Sequence, residues 1–382
     1  MDRKATKKLL VELEKITESS VLVYLTGDRF PVMTPIHEDA VLPIYKHLLG
    51  MEKKGIQKGR ISLFLYTRGG DVTVPWRIVS SVREFCKKFD VLVPFKAYSA
   101  GTMIALGSDT IVMGRRAELS PIDPSLMKSG PDNAPFPEEV SVEDVVSYIS
   151  FMKERANISD QIALAQVMAQ LASNLTPLTL GEVNRLYSHI RLVARKLLDS
   201  RKVKATEAEV NSVISALTEK MYSHGHSIGR KEAKALGLPV EEAAPELDNL
   251  MWSLYEQYEQ DLRICEPIDP QSLLDTLNTD HHKESGIPIA VVESLFSRDI
   301  YKRDFEFRRK RKVPPNLTIN INFALPANID WNTLPPQTQQ VLQQTMAQLS
   351  SQVTQQAKEE VIRQSPTEGV QTRASIPMWH SE

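Results

Sequence analysis

Between Ser20 and Gly114, apolar runs of strand length alternate with amphipathic stretches of helix length, and that alternation restricts the chain to few architectures. "SVLVYLTG" reads as a strand, "HEDAVLPIYKHLLGMEKKG" as a helix ending at Gly55, and "ISLFLYT" as a strand covered on both faces. The pattern repeats through the helix "VTVPWRIVSSVREFCKKF", the strand "VLVPF", the helix "GTMIALGSD" and the strand "TIVMG". Strands that are apolar throughout have no face to offer water, so they belong to a parallel sheet with helices on both sides. In such a sheet, ligands sit beyond the carboxyl ends of the strands. Both "TRGGD" (Thr67 to Asp71) and "YSAG" (Tyr98 to Gly101) fall there.

After Pro121 the pattern becomes helical. Ser141 and Asp144 form a capping pair for a helix running to about Asn174, and "GEVNRLYSHIRLVARKLLDS" and "TEAEVNSVISALTEKMYS" follow as helices of an insertion over the sheet edge. Residues 227–265 read as further helix. "AVVESLFSRDIYKRDFEFRRKRK" and "NLTININFAL" alternate like a β-hairpin with a solvated basic end, and a helix-like piece spans Val341 to Val361 in a Gln- and Pro-rich end. The expected organisation is therefore 1–125 core with the serine site, 126–222 helical insertion and 223–290 return to the core. A hairpin extension at 291–330 and a partly disordered tail at 331–382 complete it.

Charge and cysteine count narrow the function classes. With 46 basic and 48 acidic side chains the net charge is -2, which gives no global field for nucleic acid. Two cysteines, Cys86 and Cys265, are too few for a disulfide framework, and the charged amphipathic N-terminus is no signal peptide. No apolar run is long enough to span a membrane, so a soluble, cytoplasmic chain is expected. His281 and His282 beside Asp280 lack a further ligand at suitable spacing, so neither a metal nor a cofactor is expected.

Ser99 admits two readings. Small neighbours, Ala97, Ala100 and Gly101, would let a carbonyl approach a nucleophilic oxygen, and a helix starting near Ala100 would aim free amides at it. Gly69 and Gly70 permit backbone conformations that expose another amide. The same residues also serve a serine that merely caps a helix beside closely packed glycines. Histidines at 37, 47 and 189 fall in helices where surface or packing roles suffice.

Taken together, "LFLYTRGGDVTVPWRIVSSV", "VPFKAYSAGTMIALGSDTIVMG" and "LSPIDPSL" resemble the superfamily of Clp proteolytic subunits, signal peptide peptidase SppA and crotonases, and most closely the serine dehydrogenase proteinases. The resemblance covers about residues 20–125 and resumes at "YSHGHSIGRKEAKALGLPV", Tyr222 to Val240. It implies a Clp/crotonase-like α/β fold and an ATP-independent serine peptidase acting on peptides or proteins as a homo-oligomer. Ser99 would then be the nucleophile, with the Gly70 and Ala100 amides as oxyanion hole. Where Clp subunits carry their histidine this chain has "SPIDP". The Ser, Asp, His order of the serine dehydrogenase proteinases implies Ser99, Asp123 and His224, with His226 as a rival, while an SppA-like lysine base would be Lys128. An inactive scaffold of this fold, or an acyl-CoA enzyme polarising a thioester without a serine nucleophile, are the alternatives.

Overall fold

Alternate side chains of each central strand enter two separate apolar cores, which is why these strands carry no polar face. The computed structural model describes residues 3–122, 125–128, 138–219, 225–313, 318–319, 321, 323–324 and 330–382. It opens with α1 (Arg3–Thr17), β1 (Ser20–Thr26), α2 (Val41–Lys53), β2 (Arg60–Tyr66), α3 (Val74–Phe85), β3 (Lys88–Val93), β4 (Lys96–Ala97), α4 (Ala100–Leu106), β5 (Thr110–Met113) and β6 (Glu118–Leu119). The chain divides into two compact units, Met1–Pro267 with Pro288–Lys302 and Pro377–Glu382, and Ile268–Ile287 with Arg303–Ile376.

In the first unit, β1, β2, β3 and β5 pair in parallel. Leu22, Tyr24, Leu63 and Leu65 face one core with α2, α3 and α4, while Val21, Val23, Phe64 and Tyr66 face the other with α1. Full burial of a side chain of this size contributes about 1.5–3 kcal/mol. The insertion adds a hairpin of β7 (Ser125–Lys128) and β8 (Glu138–Ser141), then α5 (Val142–Ser150), α6 (Gln161–Asn174), α7 (Pro177–Asp199) and α8 (Glu207–Glu219). The expected single helix to Asn174 is broken, because Asp160 caps α6 through the Ala163 amide. Nor do α7 and α8 merely overlie the sheet edge, since Ile190, Ala194, Leu197, Val213 and Leu217 complete the first core.

The stretch expected as helix at 227–265 contains β9 (Ile228–Gly229), α9 (Arg230–Ala235), β10 (Val240–Glu242) and α10 (Pro245–Leu262). β10 adds a parallel edge strand to β5, and α10 covers the second core through Met251, Leu254, Tyr255 and Tyr258. A three-residue strand carries too little alternation to be read from sequence. Downstream come α11 (Pro270–Thr276), β11 (His281–Glu293), β12 (Arg298–Arg311), α12 (Pro336–Gln364), β13 (Thr367–Ala374) and β14 (Met378–Ser381). The hairpin is thus β11–β12, with β11 antiparallel to β1, and the described residues of "NLTININFAL" are not strand. Residues 367–381, expected in a partly disordered tail, are mostly strand: β14 lies along Asp299–Lys302 in the first unit, and β13 along Phe305–Arg311 in the second. Within that second unit the basic run is solvated only in part: Arg308, Lys310 and Lys312 are exposed, while Arg311 clamps Asp280 at 2.7 and 2.8 Å and Arg309 bonds Asp275 at 2.6 Å.

Buried polar groups secure the first unit. Asp299, 5% exposed, has His47 at 3.4 Å and the Ser381 hydroxyl beside it. Burial tends to raise its pKa, but these neighbours hold the carboxyl below the ordinary aspartate value. A carboxyl depressed in the folded state contributes stability above its unfolded pKa, and that contribution is lost as pH falls through the folded value. Urea unfolding across a pH series should therefore find Asp299→Asn less stable than wild type at neutral pH, with the gap closing below the ordinary aspartate range. A gap independent of pH would contradict this.

Candidate active site

The carboxyl ends of β2 and β4 meet, because Thr67 bridges Ala97 in parallel: the Thr67 amide donates to the Lys96 carbonyl at 2.9 Å and the Tyr98 amide to the Thr67 carbonyl at 3.1 Å. Ser99 follows at the N-cap position of α4 with φ 50° and ψ -110°, a combination that L-residues rarely adopt. Its side chain makes no capping bond, and among the described residues its Oγ has no hydrogen-bond partner. A serine selected for capping would accept an amide of the first turn. The capping interpretation is therefore not what the geometry contains. Such a backbone costs on the order of 1–3 kcal/mol and persists only where its surroundings impose it.

Those surroundings are identifiable. The Ser99 amide donates to Ser120 Oγ at 2.8 Å, and Ser120 Oγ donates to the Pro121 carbonyl at 2.9 Å. Thr102 Oγ1 lies 2.8 Å from the Ala97 carbonyl and accepts the Ser120 amide at 3.1 Å. Gly101 admits this close approach, since a Cβ there would stand 2.5 Å from Thr67 Cγ2. Ser120→Ala should strand the buried Ser99 amide and destabilise the protein by about 1–3 kcal/mol, measurable by urea unfolding. An unchanged midpoint would remove Ser120 from this role.

The glycine pair is held equally firmly. Ile36 donates to the Gly69 carbonyl at 2.8 Å and its own carbonyl accepts the Asp71 amide at 2.9 Å, which leaves the Gly70 amide between them without an acceptor among the described residues. The Ala100 amide likewise has none among the described residues. Gly69 and Gly70 have φ of 108° and 150°, and a Cβ on Gly69 would lie 2.8 Å from Ser99 Cβ. Beside them the Tyr98 hydroxyl donates to Glu118, and burial together with that carboxylate pushes the phenol pKa well up.

Asp123 and His224 lie outside the described residues. His226 Nε2 sits 2.8 Å from Glu232 Oε1 on α9. Lys128 is the last residue of β7, opposite Glu138. His37 stands before a short 3-10 turn, Glu38–Ala40, rather than in a helix. Sequence reasoning passed over a second constellation: Ser294 Oγ lies 2.7 Å from His47 Nδ1, with Asp299 on the ring's far nitrogen. These three residues are 2%, 1% and 5% exposed, so no substrate reaches them, and they tie α2 to the β11–β12 turn. Among the described residues no cluster of potential metal ligands occurs, and no helix is long and apolar enough to cross a membrane.

Comparison with known proteins adds the family. The model of the ClpP-like SDH-type serine proteinases matches residues 46–271. The uncharacterized protein MJ0137 of Methanocaldococcus jannaschii is 28% identical over 239 residues, 59% of this chain and 73% of that protein. A second protein of that organism, MJ1495, is 21% identical over 239 residues, 59% and 72% of the two chains. A solved 1510-N membrane-bound stomatin-specific protease mutant aligns over 57% of this chain and 79% of its own, at 17% identity and a TM-score of 0.31. The family model spans more than half of the chain and contains both the glycine pair and Ser99: this chain belongs to the family of ClpP-like SDH-type serine proteinases.

Proposed function

We infer that the protein is an ATP-independent serine peptidase whose nucleophile is Ser99. The observation that carries this reading is the strained Ser99, whose Oγ has no hydrogen-bond partner among the described residues, at the same strand ends as the Gly70 and Ala100 amides, which have no acceptor among those residues either. An acyl-CoA enzyme of related fold would need the amides but not a serine held in that conformation. In the proposed reaction Ser99 Oγ attacks the peptide carbonyl carbon and His224 takes the hydroxyl proton. The two amides stabilise the oxyanion. Collapse of the tetrahedral intermediate breaks the C–N bond as the imidazolium returns its proton to the leaving amine, and water then hydrolyses the ester by the same route. Asp123 orients the imidazole and stabilises its charged form.

Chain reach supports Asp123 and His224 as partners. β4, β6 and β9 form a small sheet in which Ala97 pairs with Leu119 and Leu119 with Ile228. Ser99 lies two residues beyond Ala97, Asp123 four beyond Leu119 and His224 four before Ile228. Four residues reach at most about 14 Å. The Ile122 amide also bonds the Leu217 carbonyl at 2.9 Å, which holds together the two segments leading to these residues. His226 already has Glu232 as partner, which favours His224 as the base.

The test is hydrolysis of an unfolded protein substrate without nucleotide, followed against pH. Turnover should rise through an apparent pKa of about 6–7 as imidazole loses its charge. His224→Ala should lower it by about a hundredfold, with Lys128→Ala and His226→Ala close to wild type. A silent Lys128→Ala with an active His224→Ala would move the base to lysine, and a strict requirement for ATP would overturn the ATP-independent reading.

A further inference from the structure

The strands that present Ser99 are parallel, so the amino ends of β3 and β5 lie at the opposite end of the sheet. There a cleft of about 480 Å³ is bounded by the α7–α8 connection, α8 and the α9–β10 turn. Leu198, Val203, Val210, Val213, Leu236 and Pro239 give it apolar walls, and Arg201 also lines it. Arg201 is 7% exposed. Its Nε donates to the Leu106 carbonyl at 2.7 Å, but neither terminal nitrogen has a protein acceptor among the described residues, and Nη2 is fully buried.

The acids of the cleft are otherwise engaged. Asp109 accepts Arg83 at 2.7 and 3.0 Å and the amides of Phe89 and Lys202 at 2.9 and 2.7 Å. Glu209 accepts the Thr206 amide and hydroxyl at 2.7 and 2.8 Å, which caps α8. Of the charged residues lining the cleft, Arg201 and Lys204 match Asp109 and Glu209 in number, but both acids are held by other donors and neither accepts from Arg201 among the described residues. Burial lowers the Arg201 guanidinium to about 10, although the nearby Asp109 carboxylate acts to raise it. A buried guanidinium with open donors is costly, and a carboxylate supplies both the charge and the acceptor oxygens it lacks. Apolar walls disfavour a hydrated inorganic anion and favour one with a branched hydrocarbon part. The volume falls within the usual range for small-molecule sites, about 300–1,000 Å³.

We propose that this cleft binds an organic carboxylate with a branched apolar substituent, the carboxylate on Arg201 and the substituent against Val203, Val210 and Leu236. Both a free branched-chain acid and the C-terminus of a short peptide offer that chemistry. Titration calorimetry of the full chain would use N-acetyl-leucine, its amide N-acetyl-leucinamide, and isovalerate. N-acetyl-leucine should bind one per chain, and the amide at least about tenfold more weakly, since it lacks the charge. Isovalerate binding as tightly would identify the free acid as ligand, and binding of N-acetyl-leucine alone would identify the peptide terminus. Arg201→Met should lose the preference for carboxylate over amide. Should that variant fail to fold, Ala235→Trp, at an exposed position lining the cleft, keeps Arg201 and should weaken binding at least about tenfold by filling the space. Equal affinity for acid and amide, absence of binding by either acid, or unchanged affinity in Ala235→Trp would overturn the proposal.

Discussion

Ser99→Ala should abolish peptide hydrolysis, with turnover lower by at least about a thousandfold, while thermal unfolding stays within about 2 °C of wild type. The two expectations follow from one geometry. Because Ser99 Oγ has no hydrogen-bond partner among the described residues, its removal strands no buried donor or acceptor. Alanine also keeps the Cβ, so the backbone strain at φ 50° is unchanged and the contacts with Gly69 remain. A stable fold without activity therefore identifies a chemical rather than a structural role. Substantial hydrolysis by the variant would remove Ser99 from the reaction.

Gly70→Ala should be nearly as damaging, but by another route. A Cβ at Gly70 would stand 2.3 Å from the Ile36 carbonyl oxygen and 2.4 Å from the Ile36 nitrogen, both backbone atoms that cannot rotate away. The substitution must displace either Ile36 or the Gly70 peptide, and with it the amide aimed beyond β2. Loss of one oxyanion donor costs about 10²–10³ in rate, and the accompanying displacement places the expected fall in acylation near about a thousandfold. Stability should also drop, by about 2–4 kcal/mol. Gly55→Ala is the control, because Gly55 also has positive φ, at 64°, but nothing lies within 4 Å of its Cβ position. That variant should lose only about 1 kcal/mol and keep full acylation rates. Urea midpoints and second-order rates with an acylating probe check both. Gly70→Ala acylating at the wild-type rate would exclude its amide from the oxyanion hole.

The difference between these two glycines was invisible in the sequence, whereas the sheet that positions them was not. Continuous apolar runs such as "VLVYL" and "SLFLY" identify central strands because each residue enters one of two cores. Short pairings were missed for the complementary reason: Val240–Glu242 and Thr367–Ala374 are edge strands with exposed or half-buried side chains, and their only signal is the partner they find in space. In the same way Arg309 and Arg311 looked like solvated charge, because nothing local announces that Asp275 and Asp280, some thirty residues earlier, will fold against them. At the site, the small residues around Ser99 made it a candidate. Its positive φ, its missing cap bond and the Ser120–Thr102 support depend on chain segments about twenty residues apart and emerge only on folding.

The central claim, that Ser99 is the attacking nucleophile, is tested most directly by treating the full-length protein with a fluorophosphonate and mapping the adduct by peptide mass spectrometry. A single phosphonylated residue is expected, Ser99, formed at a rate that rises with deprotonation of an imidazole. An adduct on any other serine, or a hydrolytically active protein that takes up no label, would contradict it.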